Sequence, residues 1–238
     1  MRRAILIALL AVSISAVATD DAGTDRITYD VITVEGKLFL ETEPDAHRLN
    51  AGDQAVSGDR LRTGSSSSST IGVPSHTAVF RIDAKTSCTL AHDRPGVLLH
   101  VEKGRVRAMF GSTTRPDPRL VTTPSAVLAV RGTDYGVRVK KNGDTHVVVF
   151  EGAIEITDPS GENPPIRVEA GQETRARMGR PAETPSLHHM TRMDWDQGRN
   201  SPASGGTAPG FGQDPGAGAI GSGAGASGSG SGSKRRGG

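Results

Sequence analysis

The sequence predicts an all-β fold: a single domain of short antiparallel strands forming a β-sandwich or a solenoid-like β-roll, followed by a disordered C-terminal tail. Three observations support this prediction. Short runs rich in Val, Ile, Leu and Thr recur between Gly, Pro, Asn and Asp residues. No stretch keeps a helical period of apolar residues for three turns. Beyond residue 177, Ser, Gly, Ala and Pro replace the apolar runs.

Each apolar run is a candidate strand, and their regular spacing is typical of sandwiches and rolls. Together they indicate one domain over residues 26–177, which is within the usual size range. The candidate strands are residues 27–34, 37–40, 70–73, 78–82, 87–91, 96–101, 105–110, 125–130, 135–141, 146–150, 153–157 and 166–170.

The segment 135–150 gives the most detailed local prediction. Asn142-Gly143 suits a two-residue type I′ turn, because both residues tolerate positive φ. This turn would pair Val137 with Val148, and a bulge at the turn would shift the register by one residue and exchange the faces. The predicted apolar face consists of Tyr135, Val137, Val139, His146, Val148 and Phe150.

The N-terminus has the composition of a secretory signal peptide. Arg2-Arg3 precede the apolar run 4–12, and Ala16-Val17-Ala18 fits the cleavage rule. A membrane-spanning helix needs about 20 apolar residues, and this run ends sooner. We therefore expect residues 1–18 to be a signal peptide and residues 19–25 a polar lead. The mature protein is then periplasmic or secreted and does not span a membrane.

The C-terminal region, residues 178–238, is rich in Pro, Gly and Ser. It contains too few apolar residues to offset its ordering entropy, so we predict a disordered tail. Trp195 could anchor a short stretch of it onto the domain or onto a partner. The basic tip, residues 234–236, could contact anionic lipid, glycan or nucleic acid, or could simply keep the tail soluble.

One cluster in this region has the donor types of a soft-metal site, since imidazole and thioether groups suit copper. Adjacent histidines in a linker are more often incidental, so we predict no metal site and no cofactor. The cluster comprises His188, His189, Met190, Met193 and Asp194.

The charge balance argues against a nucleic-acid-binding face. The chain has 28 Lys and Arg against 26 Asp and Glu. Two of the arginines belong to the leader and three basic residues to the tip, so the folded part is slightly acidic. With 3% aromatic residues, stacking platforms for bases or sugars are also sparse.

Cys88 is the only cysteine, so the domain cannot contain an internal disulfide. We expect Cys88 to be a small buried residue. The alternatives are a reactive thiol and an intermolecular disulfide, but no flanking Lys or Arg is present to activate a thiolate.

The segment from Thr123 to Gly152 resembles the signature of the FecR-domain family of bacterial envelope proteins. The signature reads Thr-Pro-x-Ala, then Val-Arg-Gly-Thr, an alternating strand and Glu-Gly. Other parts of residues 50–175 resemble the family in order and spacing, although Pro74-Ser75-His76-Thr77 replaces its usual Asp-Gly-Ser turn. The family-motif residues are Thr63, Gly64, Gly104, Pro124, Val130, Arg131, Gly132, Thr133, Glu151, Gly152 and Gly171.

We interpret these motif residues as structural. Gly132 would supply a backbone shape that only glycine tolerates, and Thr133 and Asp134 would bond to the local backbone. The alternative is that Arg131 faces a ligand. We find no catalytic motif, and the G-x-G-x-x-G match at residues 216–221 lacks the strand and helix that a dinucleotide site needs. We therefore predict no catalytic residue and no enzymatic activity.

The resemblance implies a non-catalytic binding or scaffolding module of the envelope that mediates protein–protein interaction or signalling. The family's best-known members regulate a sigma factor through a cytoplasmic segment. An exported chain without such a segment should not share that mechanism. We expect an envelope protein as partner, bound by strand addition at an exposed sheet edge. The alternatives are a cell-wall or surface-glycan binder and an uncharacterised enzyme, the least supported of the three.

Overall fold

The computed structural model describes residues 26–42, 44–91, 95–112 and 119–198. The predicted signal peptide, the polar lead and residues 199–238 of the predicted tail lie outside these ranges. Within them, the chain has 17 strands, a 3-10 helix at Pro74–His76 and the helix α1 (Arg192–Asp196). In the described part of the chain, no helix has the length and apolar character needed to cross a membrane.

The strands are numbered in chain order. They are β1 (Thr28–Glu35), β2 (Leu38–Glu41), β3 (Ala46–Leu49), β4 (Gln54–Val56), β5 (Arg60–Thr63), β6 (Ser68–Val73), β7 (Ala78–Ile82), β8 (Ser87–Leu90), β9 (Val97–Phe110), β10 (Leu120–Thr123), β11 (Ala126–Val130), β12 (Asp134–Val139), β13 (Thr145–Glu151), β14 (Ala153–Thr157), β15 (Ile166–Glu169), β16 (Gln172–Ala176) and β17 (Ser186–Leu187).

The all-β prediction is confirmed. The strands form one open sheet that bends into two layers. Layer A has the order β4-β1-β6-β7-β9-β12-β13-β16-β17. Layer B has the order β3-β2-β5-β8-β9-β10-β11-β14-β15. The sheet is mixed, because β9 and β10 run parallel while the other pairs are antiparallel.

Strand β9 belongs to both layers and joins them. Its first half, up to Lys103, pairs with β8 and β10 in layer B. Its second half, from Gly104, pairs with β7 and β12 in layer A. The sequence suggested two separate strands here, at 96–101 and 105–110. The two runs instead form one strand that crosses from layer to layer at Gly104.

The two layers share one apolar core. Along β7, the buried Phe80 alternates with the outward Val79 and Arg81, as expected for a strand with one covered face. The hydroxyl of Tyr29 in layer A donates a hydrogen bond to the carbonyl of Leu98 in layer B at 2.7 Å. Burial of aliphatic and aromatic side chains between the layers therefore holds the domain together.

Cys88 lies on β8 with no exposed surface, which confirms its expected burial. Burial raises the pKa of this thiol to about 12. The thiolate needed for disulfide exchange is therefore strongly disfavoured in the folded protein.

The predicted register of the β12–β13 hairpin is wrong by one residue. Val137 pairs with Val147 rather than Val148, and Tyr135 pairs with Val149. Hence Val147 and Val149 face the core together with Tyr135 and Val137. The side chains of His146, Val148 and Phe150 lie on the opposite face.

The register shift originates in the turn. The loop consists of residues 141–143, closed by a hydrogen bond from the Lys140 amide to the Asp144 carbonyl at 2.9 Å. Gly143 has φ of 84°, so it supplies the left-handed residue that ends a common three-residue hairpin loop. Asn142-Gly143 is thus part of the turn, but not as a two-residue turn.

The disordered tail was predicted to begin at residue 178, which is too early in the chain. Residues 178–198 are ordered against the domain. Ser186 and Leu187 form β17 at the edge of layer A, and Thr191 caps α1 in a reciprocal capping box with Asp194. Trp195 is completely buried, so of its two predicted alternatives it anchors the segment onto the domain. Residues 186–198 are called the C-terminal segment below.

Candidate functional site

The outer face of layer A, turned away from layer B, is covered by the C-terminal segment. Trp195 lies directly over Gly136 of β12, and a Cβ atom at Gly136 would come within 2.4 Å of the indole ring. A glycine inside a strand often marks such a close approach. Val148 and Met190 complete a small apolar cluster with Trp195.

Two arginines and one aromatic ring surround the indole. The guanidinium carbons of Arg105 and Arg138 lie 5.5 and 5.7 Å from the ring centroid, within the range of cation–π attraction. Phe150 meets the indole edge-on, with centroids 6.2 Å apart. We call these three residues, with Gly136 and Val148, the Trp195 socket.

Ion pairs flank the socket. Arg107 binds Asp134 through two hydrogen bonds of 2.9 and 2.8 Å and Asp196 of α1 through a third of 2.8 Å. Arg192 of α1 donates to Asp134 at 2.5 Å and to Glu151 at 2.7 Å. Charges on the C-terminal segment are thus matched by opposite charges on β9, β12 and β13.

These contacts also fix the charge state of Asp134. Burial disfavours its ionised form, but the hydrogen bonds from Arg107 and Arg192 outweigh that effect and lower the pKa of Asp134. The bond to Asp134 correspondingly raises the pKa of Arg107. The pairs therefore stay charged at neutral pH.

The C-terminal segment also extends layer A by backbone pairing. Leu187 and Ser186 pair with Gln172 and Glu173 of β16. The His188 amide donates to the Gly171 carbonyl at 2.9 Å. The segment thus combines strand addition with a buried aromatic anchor, two features of extended-peptide recognition.

Three of the five residues considered as soft-metal ligands, His188, Met190 and Asp194, have other roles here, while His189 and Met193 are exposed. The His188 side chain hydrogen-bonds to the Val149 carbonyl at 3.0 Å. Met190 packs on Trp195, and Asp194 caps α1. Across the described ranges, no three His, Cys, Asp or Glu side chains are grouped so that they could hold a metal ion.

Several family-motif residues build the corner where the layers meet. The Thr63 hydroxyl donates to the Asp83 carbonyl at 2.5 Å and accepts from the Thr86 amide at 3.0 Å. Gly104 has φ of +105°, and a Cβ there would lie 2.5 Å from the Thr86 Cα. A Cβ at Gly64 would meet the Ser67 hydroxyl oxygen at 2.7 Å. These residues act on the backbone and present no reactive group.

A second group of motif residues forms the bend before β12. Gly132 has φ of +61°, and a Cβ at Gly152 would lie 2.7 Å from its carbonyl oxygen. The Thr133 hydroxyl donates to the Ala153 carbonyl at 2.9 Å, while the Arg131 side chain is exposed. Asp134 departs from the prediction, because it pairs with arginines instead of the local backbone.

The remaining motif residues are spread over the domain. Val130 is buried at 4% exposure, and Pro124 packs close to Gly143. Glu151 is exposed and pairs with Arg192, and Gly171 has φ of +81°. The motif residues therefore do not converge on one pocket. The socket residues Gly136, Arg138 and Phe150 were not predicted as site residues from the sequence, although a glycine inside a strand was an available signal.

His146 gives the site a pH dependence that can be measured. Its Nε2 lies 3.2 Å from a Glu173 oxygen. Burial lowers the pKa of His146, and the charges of Arg175 and Arg138 lower this pKa further. The hydrogen bond and the charge of Glu173 act in the opposite direction without cancelling the shift. The unfolded chain, with a pKa of about 6.5, therefore binds this proton more readily than the folded protein.

The neutral His146 therefore stabilises the folded protein fully above a pH of about 6.5. This stabilisation is lost as the pH falls through the lowered pKa of His146 in the folded state. We expect His146→Gln to lose less stability than the wild type between about pH 7.5 and 5.5. Urea unfolding of both proteins at the two pH values measures this. An equal loss in both would contradict it.

Residues 59–155 match the family model described as "FecR protein". This part of the chain is similar to FecR domains. The matched region extends from the start of β5 into β14, so it includes the layer corner at Gly104 and all five residues of the Trp195 socket. The C-terminal segment that fills the socket lies outside the matched region.

Two crystal structures resemble part of the chain. Both are described as a "putative anti-sigma factor from Parabacteroides distasonis ATCC 8503", at 1.65 and 2.50 Å resolution. They have TM-scores of 0.44 and 0.45 and 14% sequence identity, and the match covers 54% of this chain and 59% of theirs. No curated protein matches the chain significantly.

Proposed function

We propose that this protein is an exported, non-catalytic module of the bacterial envelope that binds a protein partner in a signalling or regulatory process. The match to the FecR family supports the regulatory class. The observation that carries the proposal is the extended segment on the outer face of layer A, held by strand addition and by Trp195 in its socket. An extended segment of the partner binds this face in place of the C-terminal segment.

The contacts of the C-terminal segment are few enough for such an exchange. Its backbone pairing with β16 involves two residues, and Leu187 and Met193 are 74% and 66% exposed. Arg192 is 44% exposed, so each of its ion pairs contributes at most about 1 kcal/mol. Trp195 is the main anchor. A segment held in this way opens at lower cost than the core.

The peptide-binding capacity of the face is tested by supplying the segment as a separate peptide. We expect the protein truncated after Pro185, once shown to be folded by circular dichroism, to bind a labelled peptide of residues 186–198. The matched control peptide carries Trp195→Ala and should bind at least about tenfold more weakly, because it lacks the anchor. A folded truncated protein that binds both peptides equally, or neither, contradicts the proposal.

The partner is tested by photocrosslinking in cells. A crosslinking residue at Val148, beneath the C-terminal segment, should capture a specific envelope protein, and the same residue at Glu155 on layer B should not. Excess peptide of residues 186–198 should abolish the product formed in an envelope extract. Identical products from both positions, or a product that the peptide does not reduce, would count against this face as the binding surface.

A further inference from the structure

A second surface feature lies at the corner where the two layers meet. A groove of about 750 Å³ is lined by the loops between β5 and β6 and between β7 and β8, by the crossing point of β9, and by the end of β12. We call it the basic groove. Gly64 and Gly104 are among its lining residues. The cationic residues used in the argument are Lys85, Lys103, Arg105, Arg138, Lys140 and Lys141.

The groove has an excess of positive charge. Of the residues that the structure describes, Asp83 is the one acidic residue that lines it, and this carboxylate is 5% exposed and bonded to Arg105 at 2.6 Å. The lysines at 85, 103, 140 and 141 are exposed. Among the described residues, none of these four lysines forms an ion pair with a carboxylate. The charge balance of the whole chain did not indicate this surface, because the fold brings its cations together from three separate segments: the β7–β8 loop, strand β9, and the end of β12 with the loop that follows.

The arrangement of the lysines favours a polymer over a single ion. Lys85 follows β7, Lys103 lies at the crossing of β9, and Lys140 follows β12. These three strands are hydrogen-bonded neighbours in layer A, and neighbouring strands are about 4.8 Å apart. The corner therefore carries cations that are spaced one strand apart along the edge of the sheet. A linear chain with repeated negative groups can contact several of them at once.

The electrostatics of Arg138 point the same way. Desolvation lowers the pKa of Arg138, and the charge of Arg105 lowers it further, while the charge of Asp83 opposes both. An anion in the groove would add to the effect of Asp83, because it would place more negative charge beside a partly buried cation.

The lining also discriminates between kinds of polyanion. Within the described part of the chain, no aromatic side chain lines the basic groove, whereas proteins that hold single-stranded nucleic acids stack bases on aromatic rings. Glycan carboxylates and phosphates need only cations and hydrogen-bond donors, which lysine and arginine supply. We propose that the basic groove binds a linear anionic polysaccharide through its repeated negative groups.

The full chain is tested by affinity electrophoresis and calorimetry with four probes: polygalacturonate for carboxylates, a purified teichoic acid for phosphates, neutral dextran, and an oligothymidylate. We expect binding to either or both anionic glycans, weakening with added salt, and none to dextran. The two glycans distinguish carboxylate from phosphate recognition. Oligothymidylate binding as tight as that of the glycans, or absence of binding to both glycans, would overturn the proposal.

Charge reversal locates the site. The double variant Lys103→Glu/Lys141→Glu should weaken glycan binding at least about tenfold. The matched control, Arg26→Glu/Arg167→Glu, changes the same charge at exposed residues outside the groove and should bind as the wild type does. Lys85→Asn is a milder second variant, since asparagine tolerates the φ of 57° found at Lys85. Unchanged binding in both groove variants, or equal loss in the control, would overturn the assignment.

Discussion

Replacing Gly104 with alanine should destabilise the domain by about 2–5 kcal/mol, because backbone strain at positive φ and overpacking act together. Gly104 has φ of +105°, and the added Cβ would lie 2.3 Å from the hydroxyl oxygen of Thr86 and 2.5 Å from its Cα. Thr86 cannot move away easily, because its hydroxyl oxygen accepts a hydrogen bond from the Arg105 amide at 2.9 Å. Urea unfolding measures the loss.

Gly171→Ala is the matched control. Gly171 also has positive φ, at +81°, but a Cβ there would meet nothing within 4 Å. This substitution should therefore cost only the strain of the backbone, about 1 kcal/mol. Equal losses for the two variants would show that the close contact at the layer corner has no energetic role. A much larger loss at Gly104 supports β9 as the strand that joins the layers.

Replacing Trp195 with alanine should release the C-terminal segment while the two layers remain folded. Removing a buried tryptophan costs about 3–5 kcal/mol. Here this cost lowers the free energy with which residues 186–198 are held against the domain. Trypsin should then cleave after Arg192 much faster than in the wild type, while the far-ultraviolet circular dichroism stays that of a β protein. Limited proteolysis followed by mass spectrometry measures the rate.

Met193→Ala is the control for this change. Met193 belongs to the same helix but is 66% exposed, so its removal should leave the cleavage rate near that of the wild type. If Trp195→Ala left the rate unchanged, the indole would not be the anchor. If it unfolded the whole domain, the segment would be an integral part of the core and no partner could replace it.

The strand positions could be predicted from the sequence because alternating apolar residues mark one covered face. The predicted runs 78–82 and 153–157 coincide with β7 and β14. No run was predicted at six strands: β3, β4, β5, β10, β16 and β17. For β3 and β17, the reason is that they lack this alternation. Three of the four residues of β3 and both residues of β17 are exposed, so they show no apolar alternation, and hydrogen bonds to a neighbouring strand define them.

The site was harder to predict, because it depends on contacts distant in sequence. One glycine in β12 and one tryptophan some sixty residues later meet only once the sheet is assembled. Composition predicted the region around Trp195 to be disordered, since the average over many polar residues hid one large anchor. The predicted hairpin register was wrong because Asn-Gly occurs in both two-residue and three-residue hairpin loops.

Native-state hydrogen exchange on the full chain tests most directly whether the C-terminal segment opens separately from the domain. The structure predicts that the amides of Trp195 and His188 exchange through a local opening with a smaller free energy than the amides of Val147 and Val149 in the core. Low concentrations of denaturant should leave this difference visible. Exchange of all four amides with one common free energy, equal to that of global unfolding, would contradict an exchangeable segment on the outer face of layer A.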